Sequence, residues 1–283
     1  MGLTDWFKRK PTEPLQPAEP TPEQTRFSCD RSKLFDIERT ATLAALLRVP
    51  AGERDLSWSE AFHDAAWYAS VVMPTLEPFV GPDGFPYLRF DIPHEGPFDS
   101  QSLGNLAAQC VDARVGAALF ASPDDPVDQA AFVFSMGALD GMLRFGTIDG
   151  DPVDAAEAGA EDAAMFDVDR GDRAQTLTVR QAHEVMIGAP SRSYLPPSSA
   201  RPLYDRLTRG WGVEAPRVAL LMDPAMRPTR SLVLGVKRSD FPAEAPIDDM
   251  MRTLLWYLPP RRMLILTPED WTVGTMTLLA DYV

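Results

Sequence analysis

Three side chains that can exchange protons or bind a metal stand together in one short stretch of the sequence. Asp91, His94 and Glu95 fall within the run DIPHEG, where Pro93 and Gly96 indicate a loop. An imidazole beside two carboxylates can act as a general base or as a metal ligand. One functional hypothesis is therefore a hydrolase-like or metal-dependent enzyme centred on Asp91, His94 and Glu95.

Carboxylates also cluster twice in the pattern D-x-D-x-x-D, a composition that Ca²⁺ and Mg²⁺ favour. The two clusters are Asp149, Asp151, Asp154 and Asp167, Asp169, Asp172. Neither has the glycine at the sixth position and the glutamate at the twelfth that an EF-hand loop needs. We interpret both as parts of a solvated acidic linker. Phosphate-binding glycine motifs and the G-x-S-x-G motif are also missing, so the sequence predicts no metal site and no cofactor.

Acidic residues are concentrated in the first part of the chain, whereas basic residues are relatively more frequent in the second part. Residues 1–173 carry 14 basic and 30 acidic residues, whereas residues 174–283 carry 13 basic and 11 acidic ones. Arg227, Arg230 and Arg238 bracket one turn and strand of the second half. They predict a basic patch that docks either the acidic half of the same chain or a partner, unless they are scattered solvated charges. A protein this acidic repels phosphate backbones, so we do not expect it to bind nucleic acid.

An amphipathic helix is predicted over Ile247–Leu258, since Met250, Leu254 and Leu258 share one face. We expect this face to pack on a sheet. Trp256 points elsewhere on the helical wheel, so we expect it to be partly exposed and to be a candidate contact for a protein partner. The alternative is that Trp256 covers a junction between domains.

The pattern of elements predicts an α+β protein of two domains. Residues 1–26 read as a basic, proline-rich disordered tail, 27–148 as an N-terminal α+β domain, 149–173 as an acidic linker and 174–283 as a second α+β domain. In the C-terminal domain we expect a small sheet with helices on one face.

Hydrophobic periodicity and breakers place the individual elements. Helices are predicted over Phe35–Val49, Ser57–Met73, Ser100–Ala113 and Pro202–Trp211, besides the one over Ile247–Leu258. Strands are predicted over Tyr87–Phe90, Val115–Ala121, Ala130–Met136, Met142–Ile148, Thr176–Val179, Glu184–Ile187, Arg217–Met222, Ser231–Lys237, Met263–Thr267 and Thr275–Ala280.

Part of the second half resembles a known family. The run VMIGAP at Val185–Pro190 is followed by Tyr194-Leu195-Pro196, by a helix, by APRVALL at Ala215–Leu221 and by LVLGV at Leu232–Val236. A G-x-P after a strand, leading through a helix to a P-x-V strand, is similar to the C-terminal domain of the SseB (enhanced serine sensitivity) family over about residues 183–270. The resemblance implies a small α+β module of a bacterial cytoplasmic protein with a regulatory or binding role, and it supplies no catalytic residues.

The N-terminus suggests a further role. Trp6 and Phe7 precede Lys8, Arg9 and Lys10, which together form a short amphipathic basic piece that could touch a membrane surface weakly. A membrane-proximal adaptor tethered by residues 1–10 is therefore a second alternative, and an ordinary frayed terminus is the simpler interpretation.

Cysteine usage favours the cytoplasm. The two cysteines, Cys29 and Cys110, stand far apart and match no metal or redox motif, and no secretory signal is recognisable. We expect two reduced thiols. Taken together, the leading hypothesis is a non-enzymatic binding or regulatory protein that acts through protein–protein contacts.

Overall fold

The computed structural model describes residues 36–93, 101–147, 150–153, 166–168, 177–179 and 184–283. These residues form six α-helices: α1 (Ile37–Leu47), α2 (Leu56–Tyr68), α3 (Leu103–Ala113), α4 (Met136–Phe145), α5 (Pro197–Asp205) and α6 (Ile247–Leu255). They also form eleven strands: β1 (Phe79–Val80), β2 (Pro86–Asp91), β3 (Gly116–Phe120), β4 (Phe132–Phe134), β5 (Phe166–Val168), β6 (Leu177–Val179), β7 (Met186–Gly188), β8 (Arg217–Met222), β9 (Arg230–Leu234), β10 (Met263–Leu266) and β11 (Thr277–Leu278). Helices and two mixed sheets confirm the predicted α+β class.

The N-terminal sheet has the order β1-β2-β3-β4, with β2 and β3 parallel and the other pairs antiparallel. Strand β3, at the centre, is buried at every residue and begins with three small ones, Gly116, Ala117 and Ala118. Aromatic rings fill the space between this sheet and the helices. Phe62 of α2 lies 4.4 Å from the ring of Trp58 and 6.0 Å from that of Phe134, stacked on both. The core of this half is therefore largely aromatic.

Short polar side chains begin four of these helices. Each accepts a hydrogen bond from a backbone N–H in the first turn, and the four residues are Asp36, Asp55, Ser102 and Ser135. The helix predicted from Ser57 begins at Leu56, with Asp55 as the N-cap that accepts from the N–H of Trp58 at 2.8 Å. These hydrogen bonds hold the pKa of Asp55 below its ordinary value. Aspartate and serine are both strong N-caps, so spacing alone did not choose between them.

The predicted strand Met142–Ile148 is wrong, because these residues largely belong to α4. Ser135 caps this helix, and Gly146 ends it in the left-handed conformation with a φ of 72°. Seven consecutive residues, Met136–Met142, are buried. A helix that is buried on all sides shows no 3.6-residue alternation of apolar and polar residues, and its apolar run is then easily taken for a strand.

The C-terminal sheet has the order β10-β9-β8-β11, and β7 also pairs with β8. Only β9 and β10 are parallel. One face of the sheet packs on the helices through a set of buried residues: Leu203, Leu207, Leu254, Leu258, Val218, Leu232, Leu234 and Leu264. The opposite face forms a smaller cluster that includes Ala219, Leu221 and Val233 and contains no residue from a helix. The predicted sheet with helices on one face is therefore observed.

The segment expected to be an acidic linker, 149–173, contains β5. This strand pairs antiparallel with β6, so that Phe166 is opposite Val179. A short apolar stretch within this acidic segment therefore pairs as a strand, and the segment as a whole remains a predicted linker. Other predictions lie outside the described residues, namely those for the tail with Trp6, Phe7, Lys8, Arg9 and Lys10, for Cys29, and for Asp149, Asp154, Asp169 and Asp172.

Trp256 is buried rather than partly exposed, with only 8% of its surface accessible. Trp256 is the C-cap of α6 and keeps helical dihedral angles, so its side chain does point away from the face of Leu254. It is buried because the N-terminal half covers the side to which it points. Its ring stacks on Phe85 at 4.5 Å, and its Nε1–H donates to the hydroxyl of Tyr87 at 3.0 Å. The residue therefore covers the contact between the two halves of the chain, which was the alternative interpretation.

The backbone also approaches closely at this contact. A Cβ added to Gly137 of α4 would lie 1.9 Å from the carbonyl oxygen of Leu258. The N–H of Gly137 donates to the carbonyl of Trp256 at 3.0 Å. Any larger residue at 137 would separate α4 from the turn after α6, so the two halves pack through main chain as well as side chains.

Candidate functional site

Of the three proposed catalytic residues, Asp91 alone lies in the described part of the chain, and it forms an ion pair with Arg89. Asp91 is the last residue of β2 and is buried, and the Nε of Arg89 donates to its carboxylate at 2.7 Å. The same guanidinium donates to the carbonyls of Pro123 and Asp125 at 2.8 Å. Asp91 thus helps Arg89 to hold the turn after β3. His94 and Glu95 lie outside the described residues.

Two of the three arginines predicted to form a basic patch donate hydrogen bonds within their own loops. Arg227 donates to the carbonyls of Pro224 and Met226, and Arg238 donates to those of Pro242 and Ala243, all at 2.6–2.9 Å. An arginine that donates to the carbonyls of its own loop holds that loop in shape. These contacts are local to each loop, so they assign Arg227 and Arg238 a structural role there.

Arg230 contacts the acidic part of the chain instead. Its Nη2 lies 3.1 Å from the carboxylate of Asp151, and the Nη2 of Arg262 lies 3.6 Å from the same oxygen. Arg262 is 1% exposed and covers the ring of Tyr194 at 3.7 Å. The carboxylate of Asp151 thus lies between Arg230 and the buried Arg262 and joins the two halves of the chain. We call this contact the Asp151 clasp. The basic residues Arg230 and Arg262 therefore dock on the acidic segment of the same chain.

Strand β7 is the most exposed apolar element of the C-terminal sheet. Met186 is 65% exposed and Ile187 is 51% exposed, although they lie on opposite faces of the strand. Val185 and Met222 extend this apolar surface. Within the described residues β7 pairs on one side only, with β8. Edge strands are usually protected by being short or by carrying charge. Strand β7 has only three residues but no charge, so its exposed apolar side chains indicate an interaction surface.

A notch lies beside β7 in the same sheet edge. Strand β9 pairs along β8 from Val218 to Met222, so β7 and β11 must share the other edge of β8. They pair at its two ends, which leaves Ala219 opposite the gap between them. The resulting cavity has a volume of about 170 Å³ and is lined by Ile187, Gly188, Ala189, Ala219, Met276 and Thr277. A cavity of about 150 Å³ is known to accept a group of the size of benzene. The notch therefore has room for one apolar side chain.

The β7 edge can bind an extended chain. Its unpaired side offers main-chain donors and acceptors to an added strand, and the notch offers a place for one of that strand's side chains. Open space surrounds Gly188, since a Cβ added there would meet no atom within 4 Å. The sequence predicted a strand over Glu184–Ile187 but not its exposure. The sequence signal for this site is the run Val185, Met186, Ile187, in which no polar residue alternates with the apolar ones. Such a run predicts a strand whose two faces are both covered.

The described residues contain neither a metal-binding cluster nor a membrane-spanning helix. No group of three or more His, Cys, Asp or Glu side chains in that part of the chain is arranged to hold a metal ion. None of the helices described there is both long enough and apolar enough to cross a bilayer. Comparison with protein-family models, with curated proteins and with solved structures found no match to this chain.

Proposed function

We propose that this protein is a non-enzymatic binding protein that acts through protein–protein contacts, with β7 as the strand on which an extended segment of a partner docks. The observation that carries the proposal is the exposure of Met186 and Ile187 on opposite faces of one edge strand. Burying each of them would contribute up to about 1.5–3 kcal/mol.

The geometry defines the chemistry of the partner. An added strand places successive side chains on alternate faces of the sheet, so the partner segment needs apolar residues on both faces. One of its side chains, of leucine or phenylalanine size, fills the notch beside Ala219. The segment is extended and free of proline at the positions that pair with β7, because proline cannot donate to a strand ladder.

The cellular setting is part of the same proposal. Strand β7 lies in the run VMIGAP, which carries the resemblance to the SseB family. A regulatory protein of the bacterial cytoplasm is consistent with that resemblance. In this setting the β7 edge would recognise a target protein whose state or location is being controlled.

The test compares two edge-strand variants of the full-length protein. Ile187→Lys places a charge on the β7 edge, and Val133→Lys places one on β4, where Val133 is 45% exposed. Both sites are β-branched, apolar and solvent-exposed, so both variants should fold. The partner captured by wild type from cells of the source organism should be retained by Val133→Lys and lost with Ile187→Lys. Equal capture by the two variants would overturn the β7 edge as the docking strand.

A further inference from the structure

A second cleft lies where the end of α3 meets the helical segment that begins with α5. Its volume is about 400 Å³, and its lining residues are Arg114, Pro202, Asp205, Arg206, Arg209, Gly210 and Tyr257. Four of them, at positions 202, 205, 206 and 209, follow the spacing of one helix face. The segment ends in one turn of π-helix, Arg206–Gly210. Such turns occur frequently at functional sites.

The charges in this cleft do not balance. Arg114 donates to the carboxylate of Asp205 at 2.5 Å, and Arg209 lies 3.7 Å from the other oxygen of the same carboxylate. Arg206 has no carboxylate within 4.0 Å in the described part of the chain, and its Nη2 donates only to the hydroxyl of Tyr257 at 3.5 Å. Three guanidinium groups thus face one carboxylate, in a protein whose net charge is −14.

The neighbours of Arg206 favour an anion. The hydroxyl of Tyr257 accepts from Arg206 and keeps its own proton to donate. The ring of Tyr257 is buried, so its hydroxyl is held in place. Gly210 leaves the backbone open, since a Cβ there would meet no atom within 4 Å. The exposed guanidinium groups of Arg206 and Arg209, the Tyr257 hydroxyl and an open backbone border a solvent-accessible cleft that a small anion can enter.

Helix stabilisation alone does not account for this arrangement. Cations near the end of a helix interact favourably with its last carbonyl groups, which explains a role for Arg209. It does not explain Arg114, which comes from the end of α3 with a left-handed φ of 60°, or the hydroxyl of Tyr257. Both come from other elements and are directed to the same space.

We propose that this cleft binds the phosphate group of a small phosphorylated molecule, through Arg206, Arg209 and the hydroxyl of Tyr257. Guanidinium forks match phosphate oxygens in bidentate geometry. The volume lies in the range of about 300–1,000 Å³ that is typical of small-molecule sites. Arg114 remains paired with Asp205 and thereby reduces the repulsion between that carboxylate and the bound phosphate. This site is separate from the β7 edge and does not depend on it.

The test titrates full-length protein with inorganic phosphate and measures binding by calorimetry and by the shift in melting temperature. Sodium chloride at equal ionic strength and sodium acetate are parallel titrations. Arg206→Gln should weaken phosphate binding by about tenfold or more, because a hydrogen-bonded charge contact is lost. Arg201→Gln is the matched control, since Arg201 is exposed on the same helix but does not line the cleft.

The proposal requires saturable binding of phosphate that chloride does not reproduce, that Arg201→Gln retains and that Arg206→Gln weakens. It is overturned if phosphate acts only through ionic strength, or if Arg206→Gln binds phosphate as wild type does. It is also overturned if acetate binds as tightly as phosphate with the same dependence on Arg206, which would assign the cleft to carboxylates. If Arg206→Gln lowers stability but leaves phosphate binding unchanged, Arg206 only stabilises the helix and the proposal is overturned.

Discussion

Asp151 joins the two halves of the chain through a single carboxylate. Arg230 and Arg262 both contact it, and Arg262 is almost completely buried. Removing one partner of a buried ion pair is costly, because the remaining charge stays in a poorly solvated place. We therefore expect Asp151→Ala to lower the free energy of unfolding by about 3 kcal/mol.

Chemical denaturation measures this effect, with Asp249→Ala as the matched control. Asp249 pairs with Arg252 at 3.3 Å, but both side chains are exposed. An exposed pair of this kind contributes up to about 1 kcal/mol. Equal losses in the two variants would contradict the assignment of the Asp151 clasp as a buried interaction.

Cys110 makes the stability depend on pH in the alkaline range. The thiol is buried in α3, and burial raises its pKa from 9.0 to about 11. Between these values the unfolded chain releases the proton while the folded chain keeps it, so the free energy of unfolding falls as the pH rises. The slope from this group is at most about 1.4 kcal/mol per pH unit.

Denaturant titrations at several pH values between 9 and 11 should therefore show a smaller slope for Cys110→Ala than for wild type. The tyrosines contribute equally to both proteins, so the difference in slope isolates the thiol. If the two slopes are the same, the thiol does not titrate differently in the folded and unfolded chains.

At the scale of the element, α6 holds the C-terminal sheet through one face. Leu254 is completely buried, whereas its neighbour Leu255 is exposed. Leu254→Ala should lower the free energy of unfolding by about 2–5 kcal/mol, from lost transfer energy and a residual cavity. Leu255→Ala should cost less than about 1 kcal/mol, since Leu255 keeps 39% of its surface exposed in the folded state and loses less buried area. Thermal or denaturant unfolding of the two variants checks the helix phase, which is wrong if Leu255→Ala is the more damaging.

Elements with a clear pattern and clear ends could be predicted from the sequence. The strand Arg217–Met222 was predicted with its observed bounds, because Pro216 precedes it and Pro224 follows shortly after it. The buried helix α4 could not be recognised, since a uniformly apolar run carries no period. The burial of Trp256 could not be predicted either, because it depends on Phe85 and Tyr87, which lie far away along the chain.

The candidate site was only partly visible in the sequence. The apolar run in β7 predicted a strand, but its edge position follows from long-range pairing of β7 and β11 with one edge of β8. The phosphate cleft depends on Arg114 and Tyr257, which lie far from Arg206 along the chain. Spacing along the sequence does not show which distant residues come together in space, so neither the β7 edge nor the phosphate cleft could be identified without the fold.

At the scale of the whole molecule, the two halves should stay associated after a cut between them. Proteolysis is still expected within residues 149–173, whose acidic composition predicted a linker. However, Trp256 and Tyr257 belong to the core of the N-terminal half. The fragments should therefore co-elute in gel filtration under native conditions and separate in denaturant. Elution of a free fragment of residues 174–283 would show two independent domains.

Photo-crosslinking shows whether the β7 edge contacts a partner protein. A photoreactive phenylalanine analogue replaces Met186 in one protein and Val133 in the other, each in otherwise unchanged full-length chain. If β7 is the docking strand, an adduct forms from position 186 only, is joined to an extended apolar segment of a different protein and is abolished by Ile187→Lys. No adduct at position 186, the same adduct from both positions, or an adduct only with a second copy of this chain would contradict this role of β7.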